Sequence, residues 1–235
     1  MKIKYIQKTT LVDYPGKIAC TIFFFGCNFR CGFCYNPELV IEEKSPDLNE
    51  KEIFDFLEKR KGQLEGVCLT GGEPLLSLEE NFLRKIKNLG YSIKIDTNGS
   101  FPEKLKNLID KKLIDYISMD IKGRREDYEK ITNTKTDIKN IEESMKILSS
   151  FNEYEFRTTI LEKFHDEKKV LEEVEWIFKT IEKKIKRFCL QGFKNEGKFI
   201  DENFKNEKNT TQIYLNKIKD SLEKKKICEE ILIRI

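Results

Sequence analysis

The sequence predicts an α/β fold on a parallel sheet that closes into a barrel or partial barrel. Three observations predict it. Short apolar, strand-like runs alternate with amphipathic helical segments along the chain, the mark of parallel βα repeats. The first run, Ile18 to Phe25, is too continuously apolar for a half-exposed strand and suits one covered on both faces. Each of the first four runs ends in a polar or glycine-bearing motif, and barrel enzymes place their chemistry at strand C-terminal ends.

Taken in order, Ile3 to Lys17 reads as an extended lead-in broken by the turn Asp13-Tyr14-Pro15-Gly16, followed by the first strand and a cysteine loop ending at Asn36-Pro37. Asn49 and Glu52 form a capping box for a helix running to about Lys61, with Leu48 placed to staple onto Ile53. Gly66 to Leu69 is a second strand ending in Thr70-Gly71-Gly72-Glu73-Pro74, and Ser77 with Glu80 is expected to open the next helix. Tyr91 to Ile95 is a third strand ending in Asp96-Thr97-Asn98-Gly99. A helix from Pro102 to Lys111 leads to Leu113 to Met119, the fourth strand, ending in Asp120-Ile121-Lys122-Gly123. Then come a helix Ile138 to Leu148, a strand Glu155 to Leu161, a helix Val170 to Ile185 and a sixth strand Arg187 to Gln191. Lys194 to Lys208 lacks periodicity and reads as a loop whose lysines solvate a surface; Thr211 to Lys224 is a last helix and Ile231 to Ile235 a closing edge strand.

The length of 235 residues suits one domain: an extension and turn (1–17), a core (18–191) and a C-terminal loop and helix (192–235). The 44 basic and 41 acidic side chains nearly cancel to +3, which gives no case for nucleic acid or an anionic membrane as partner. Met1 to Gln7 lacks the apolar core of a signal peptide, and no apolar run reaches the length of a membrane span, so a cytoplasmic protein is expected. Seven cysteines, an odd number, argue against a disulfide framework. Cys20, Cys68 and Cys189 lie in apolar runs and read as small core residues; Cys228 has no evident role.

Cys27, Cys31 and Cys34 can point three sulfurs at one small volume from a single loop. Thiolates are soft ligands for iron–sulfur clusters, zinc or copper(I). Closed zinc sites take four protein ligands and electron-transfer clusters four cysteines, so three would leave one iron of a cubane open to another molecule. On the triad alone, a zinc loop with a distant fourth ligand and cysteines that merely pack remain open readings. Gly71 to Pro74 alone reads equally as a tight turn, and Asp96 to Gly99 alone more often as a turn than a site. Their register with the cysteine loop makes coincidence a poor explanation.

These residues resemble a known superfamily. Cys27, Cys31 and Cys34, with Phe33 before the third cysteine, match the Cys-x3-Cys-x2-Cys signature of radical S-adenosylmethionine enzymes, and Gly71-Gly72-Glu73-Pro74 matches their methionine-binding motif. The resemblance is closer to the activating enzymes of glycyl radical proteins. Within those, Thr10 to Lys17 and Gly26 to Cys31 look like the anaerobic ribonucleoside-triphosphate reductase activating proteins. The resemblance implies a partial (β/α)6 TIM-like barrel, a [4Fe-4S] cluster on Cys27, Cys31 and Cys34 as catalytic centre, and S-adenosylmethionine as cofactor. It implies cofactor contacts from Phe33 (adenine), Gly71, Gly72, Glu73 and Pro74 (methionine ammonium), Thr97 and Asn98, Lys122 (carboxylate), Asp120 (ribose) and Arg157. Asp96 would reach the amino group or, with Asp120, hold a monovalent cation. It further implies a glycyl radical enzyme as partner and reduced ferredoxin or flavodoxin as electron donor. Two departures stand out: Tyr35 occupies a position where many activases have histidine, and a sixth-strand histidine that some relatives have is absent, with Gln191 or Lys194 lying nearest. The single histidine, His165, reads as structural or solvent-facing.

Rival readings are a radical enzyme acting on a small molecule, such as a deazapurine-forming one, and a simple iron–sulfur carrier or zinc module. The latter needs no motif like Gly71 to Pro74 or Asp120 to Lys122.

Overall fold

The computed structural model describes residues 1–41 and 47–235. Its strands are β1 (Ile3–Thr10), β2 (Ala19–Phe24), β3 (Gly66–Gly71), β4 (Ser92–Thr97), β5 (Tyr116–Asp120), β6 (Tyr154–Ile160), β7 (Ile185–Gly192) and β8 (Cys228–Arg234), hydrogen-bonded in chain order. Its α-helices are α1 (Glu50–Lys59), α2 (Glu80–Asn88), α3 (Pro102–Asp110), α4 (Tyr128–Thr132), α5 (Ile138–Ser149), α6 (Glu167–Ile181) and α7 (Gln212–Lys225). β1 runs antiparallel to β2, whereas β2–β3, β3–β4, β6–β7 and β7–β8 are parallel. The class is the expected α/β one with a mostly parallel sheet, consistent with a partial TIM-like barrel. The lead-in is itself a strand, and the C-terminal run pairs parallel to β7. The chain groups into two compact units.

The first unit comprises residues 1–28, 36–97 and 103–117. β2 is buried along nearly its whole length, as its unbroken apolar run requires, and Phe24 meets Phe82 of α2 edge-on at 6.3 Å. α1 begins with the expected capping box of Asn49 and Glu52 but stops at Lys59. The early turn is tied to the strands beside it. Asp13 accepts from Thr21 Oγ1 at 2.5 Å, and the buried Tyr14 ring lies so close beneath Gly66 that a Cβ there would fall 2.9 Å from it. Leu11 and Val12 of the same turn are exposed. Ser77 does not open α2. Its amide donates to Pro74 at the end of the 3-10 turn Pro74–Leu76, and α2 starts later, from Glu79, without a side-chain cap. Glu80 accepts instead from Asn107 and Lys111.

The second unit comprises residues 29–35, 98–102 and 118–235. α6 buries Val170, Val174, Ile177 and Ile181 together with Glu173, while Leu171 and Phe178, on the same apolar period, are only half-buried. It ends four residues earlier than its apolar period suggests, because Glu182 turns left-handed (φ 56°) and Ile185 already belongs to β7. The five-residue α4 is too short to show a period in sequence. Cys189 is buried in β7, as Cys20 and Cys68 are in β2 and β3.

Candidate functional site

In the first unit the turn after β3 is locked onto the end of β2. Gly72 N donates to Phe24 O at 2.9 Å and Glu73 N to Gly26 O at 2.7 Å. A Cβ at Gly71 would lie 2.3 Å from Phe24 O, and one at Gly72 only 2.0 Å from Gly26 O. Glycine therefore permits two backbones to touch here, and it sets residues 71–74 against those just ahead of Cys27. Glu73 is 1% exposed; its Oε1 accepts from Leu75 N at 3.1 Å and Thr97 Oγ1 at 2.9 Å. Two of the expected residues, Glu73 and Thr97, are thus joined directly, and Pro74 starts the turn that follows.

At the end of β4, Lys94 and Asp96 stand two residues apart and so on one strand face. Lys94 Nζ pairs with Asp96 Oδ1 and lies 3.8 Å from Sγ of Cys68, its register partner on β3. Lys94 is 1% exposed. The sequence carried one signal for it: a lysine inside an apolar run, two residues before a motif aspartate.

In the second unit the cysteine loop is held from two sides. Arg30 N donates to Thr132 O at the end of α4 at 2.8 Å, and Phe29 meets Tyr128 edge-on. The segment expected to be a solvated loop supplies the other side. Asp201 N donates to Gly32 O at 2.9 Å, and Phe33 packs between Phe164 and Phe204 at 6.2 and 6.0 Å. A Cβ at Gly32 would fall 2.5 Å from the Phe204 ring. Tyr35 stacks on Phe193 and its hydroxyl accepts from Lys194 N at 2.8 Å, so the residue in the histidine position ties the loop to the chain after β7. Cys31 is buried and Cys34 half-buried. Burial pushes the Cys31 thiol up to about 11, with the Lys122 ammonium pulling the other way.

Asp120, Lys122 and Arg157 form one cluster. Arg157 Nε donates to Asp120 Oδ1 at 2.7 Å and Lys122 Nζ to Oδ2 at 2.9 Å. Burial would raise the Asp120 carboxyl, but Arg157 and then Lys122 outweigh it and hold it well below the usual carboxylate range. Burial likewise opposes the Lys122 charge, and Asp120 and Cys31 more than restore it. His165 is structural: it is 1% exposed, its Nδ1 accepts from Leu161 N at 3.2 Å, and burial lowers its pKa to about 4. The neutral ring's Nε2 therefore donates to Lys122 O at 3.0 Å, fixing the backbone of that lysine. Asn98 accepts from Ser100 N at 3.0 Å, and Gly99, at φ 78°, lies so close to Met119 that a Cβ would overlap it at 2.1 Å.

Among the described residues no three His, Cys, Asp or Glu side chains are grouped to hold a metal ion, and all seven cysteines are thiols. The chemistry of the donor set fits an iron–sulfur cluster. Three thiols of one short sequence run, soft ligands once deprotonated, sit in and beside one tightly packed loop.

The sequence profile of the Radical SAM superfamily matches residues 21–177. A Methanocaldococcus jannaschii protein provisionally named a glycyl-radical enzyme activating enzyme (MJ1227) is 34% identical over 210 residues, covering 85% of this chain and 82% of that relative. The pyruvate formate-lyase-activating enzyme of Clostridium pasteurianum is 33% identical over 141 residues, covering 53% and 59%. The 7-carboxy-7-deazaguanine synthase of Clostridium acetobutylicum is 30% identical over 174 residues, covering 65% and 77%. Among solved structures, Streptococcus suis SuiB bound to S-adenosylmethionine shares the fold with a TM-score of 0.69 at 14% identity, over 90% of this chain and 49% of that longer one.

Proposed function

The chain belongs to the radical SAM superfamily and is homologous to glycyl-radical enzyme activating enzymes, and on that premise we propose that it installs a glycyl radical on anaerobic ribonucleoside-triphosphate reductase. The observation that carries this reading is the similarity to MJ1227 along 85% of the chain. The choice of reductase rests on Thr10 to Lys17 and Gly26 to Cys31, whose order resembles that group of activases.

Cys27, Cys31 and Cys34 would hold the [4Fe-4S] cluster. Once bound, that cluster supplies the electron that splits S-adenosylmethionine into methionine and a 5′-deoxyadenosyl radical. The protein binds and orients. Lys122, its carbonyl held by His165, offers a point charge to the cofactor carboxylate. Arg157 and Lys122 keep Asp120 ionised as an acceptor for ribose hydroxyls. Glu73, steadied by Thr97, together with the Gly71 and Gly72 carbonyls, accepts from the methionine ammonium. Phe33 would serve the adenine, Pro74 and Asn98 each shape the turn they stand in, and reduced ferredoxin or flavodoxin would supply the electron.

The test mixes reduced protein, S-adenosylmethionine and the anaerobic reductase under argon and records the electron paramagnetic resonance spectrum. A glycyl doublet on the reductase, with one deoxyadenosine per radical, is expected. A second reading, chemistry on a small molecule, is favoured by the 30% identity to a deazaguanine synthase. It takes over if deoxyadenosine forms only with a deazapurine precursor and never with a glycyl-radical protein.

A further inference from the structure

A carboxylate at the end of a buried strand has to be neutralised, and a bound monovalent cation is one way to do it. The first unit contains another. Lys94 lies inside β4, 1% exposed, on the same strand face as Asp96, and its ammonium is ion-paired with that carboxylate. Cys68, opposite it in register on β3, contacts the same ammonium at 3.8 Å. A lysine buried this completely is held by its partner, because its desolvation is offset only by a nearby opposite charge. The second unit handles its own carboxylate in the same way, with Asp120 paired to Arg157 and Lys122. Each acidic residue expected to share a monovalent cation therefore already has a covalently attached cation within its own unit.

We propose that Lys94 is a positioning residue that serves as the built-in counter-cation of Asp96, so that S-adenosylmethionine binds this protein without a monovalent cation. The inference rests on the cofactor assignment above. It predicts a specific exchange: with the ammonium removed, a soluble cation of similar size should take its place.

The experiment has two arms. The first measures S-adenosylmethionine affinity by calorimetry on the anaerobically reconstituted protein, in choline chloride and in potassium chloride at equal ionic strength. The natural protein should bind equally in both. Lys94→Met should lose about tenfold in choline, the effect of one missing charge-assisted contact, and recover in potassium. The second arm needs neither cluster nor cofactor. Equilibrium dialysis with radioactive rubidium on the cluster-free chain should show no bound ion for the natural protein and a retained ion for Lys94→Met. Should Lys94→Met fail to fold, the double variant Lys94→Met, Asp96→Asn removes both charges and should be indifferent to potassium. A tenfold potassium requirement in the natural protein, or rubidium bound to it, overturns the proposal. So does a Lys94→Met protein that ignores both ions. If no variant binds S-adenosylmethionine in any buffer, the cofactor assignment is what fails, and the rubidium arm still decides the role of Lys94.

Discussion

Glu173 lies on the buried face of α6, where Thr158 Oγ1 donates to its Oε1 and Oε2 has no hydrogen-bond partner among the described residues. Burial pushes its carboxyl up to about 8. A carboxyl raised on folding adds stability at low pH that is lost as pH rises toward the folded value. Stability should therefore fall by about 1.4 kcal/mol per pH unit between the ordinary carboxyl pKa and 8. Urea midpoints from pH 5 to 9 should show this slope, and Glu173→Gln should flatten it; an unchanged slope means that Glu173 does not set it. Lys122→Met tests the site in the same residue-by-residue way. It removes one charged contact while all three cysteines stay, so iron loading should persist and S-adenosylmethionine affinity drop by roughly 10- to 100-fold. Calorimetry with unaltered affinity would take Lys122 out of the pocket. Glu73 is a less clean probe, because it also holds Thr97 and Leu75 N and its removal would disturb the turn itself.

β8 is fastened to β6 by a bidentate pair: Arg234 donates from both terminal nitrogens to the fully buried Glu155 at 2.7 Å each, and Ser118 of β5 donates to the same carboxylate. Arg234→Ala strips the bidentate partner from a buried charge, which costs about 3 kcal/mol or more. Hydrogen exchange should then quicken along 228–234 first. Arg234→Met with Glu155→Gln should lose much less, and equal losses would mean that the pair contributes packing alone. The chain from 193 to 206 is an element of a different kind. It has no period, yet its aromatic rings cover the cysteine loop. Phe204→Ala should leave the fold intact while the reconstituted cluster bleaches faster in air, followed by its visible absorbance. An unchanged bleaching rate would show that this cover does not control access.

Across the molecule, part of the nearly balanced charge forms exposed pairs such as Lys51–Asp55 and Lys106–Asp110. Exposed pairs contribute about 0–1 kcal/mol each and are screened by salt, whereas Arg234–Glu155 and Lys94–Asp96 lie where salt reaches poorly. Raising sodium chloride to roughly 0.5 M, where screening extends only a few ångströms, should shift the unfolding midpoint little. A large fall would place the stability in the surface network instead.

What could be read from the chain was local. The Cys27, Cys31, Cys34 spacing, the Gly71 to Pro74 and Asp120 to Lys122 motifs, the Asn49–Glu52 box and the alternation of strand and helix all depend on neighbours a few residues apart. Turn chemistry, capping and periodicity act over that range. Even so, a short-range signal misleads when a tertiary partner outbids it. Ser77 and Glu80 have capping spacing, yet Ser77 closes the turn before α2 and Glu80 answers Asn107 and Lys111. The contacts that only the fold decides join residues far apart in sequence: Tyr35 with Lys194, 159 residues on; His165 with Lys122, 43 apart; Lys94 with Cys68, 26 apart; Glu155 with Arg234, 79 apart. No spacing rule encodes such pairs. They exist because parallel strands bring matching registers side by side, and because buried polar groups must find a partner wherever the fold supplies one.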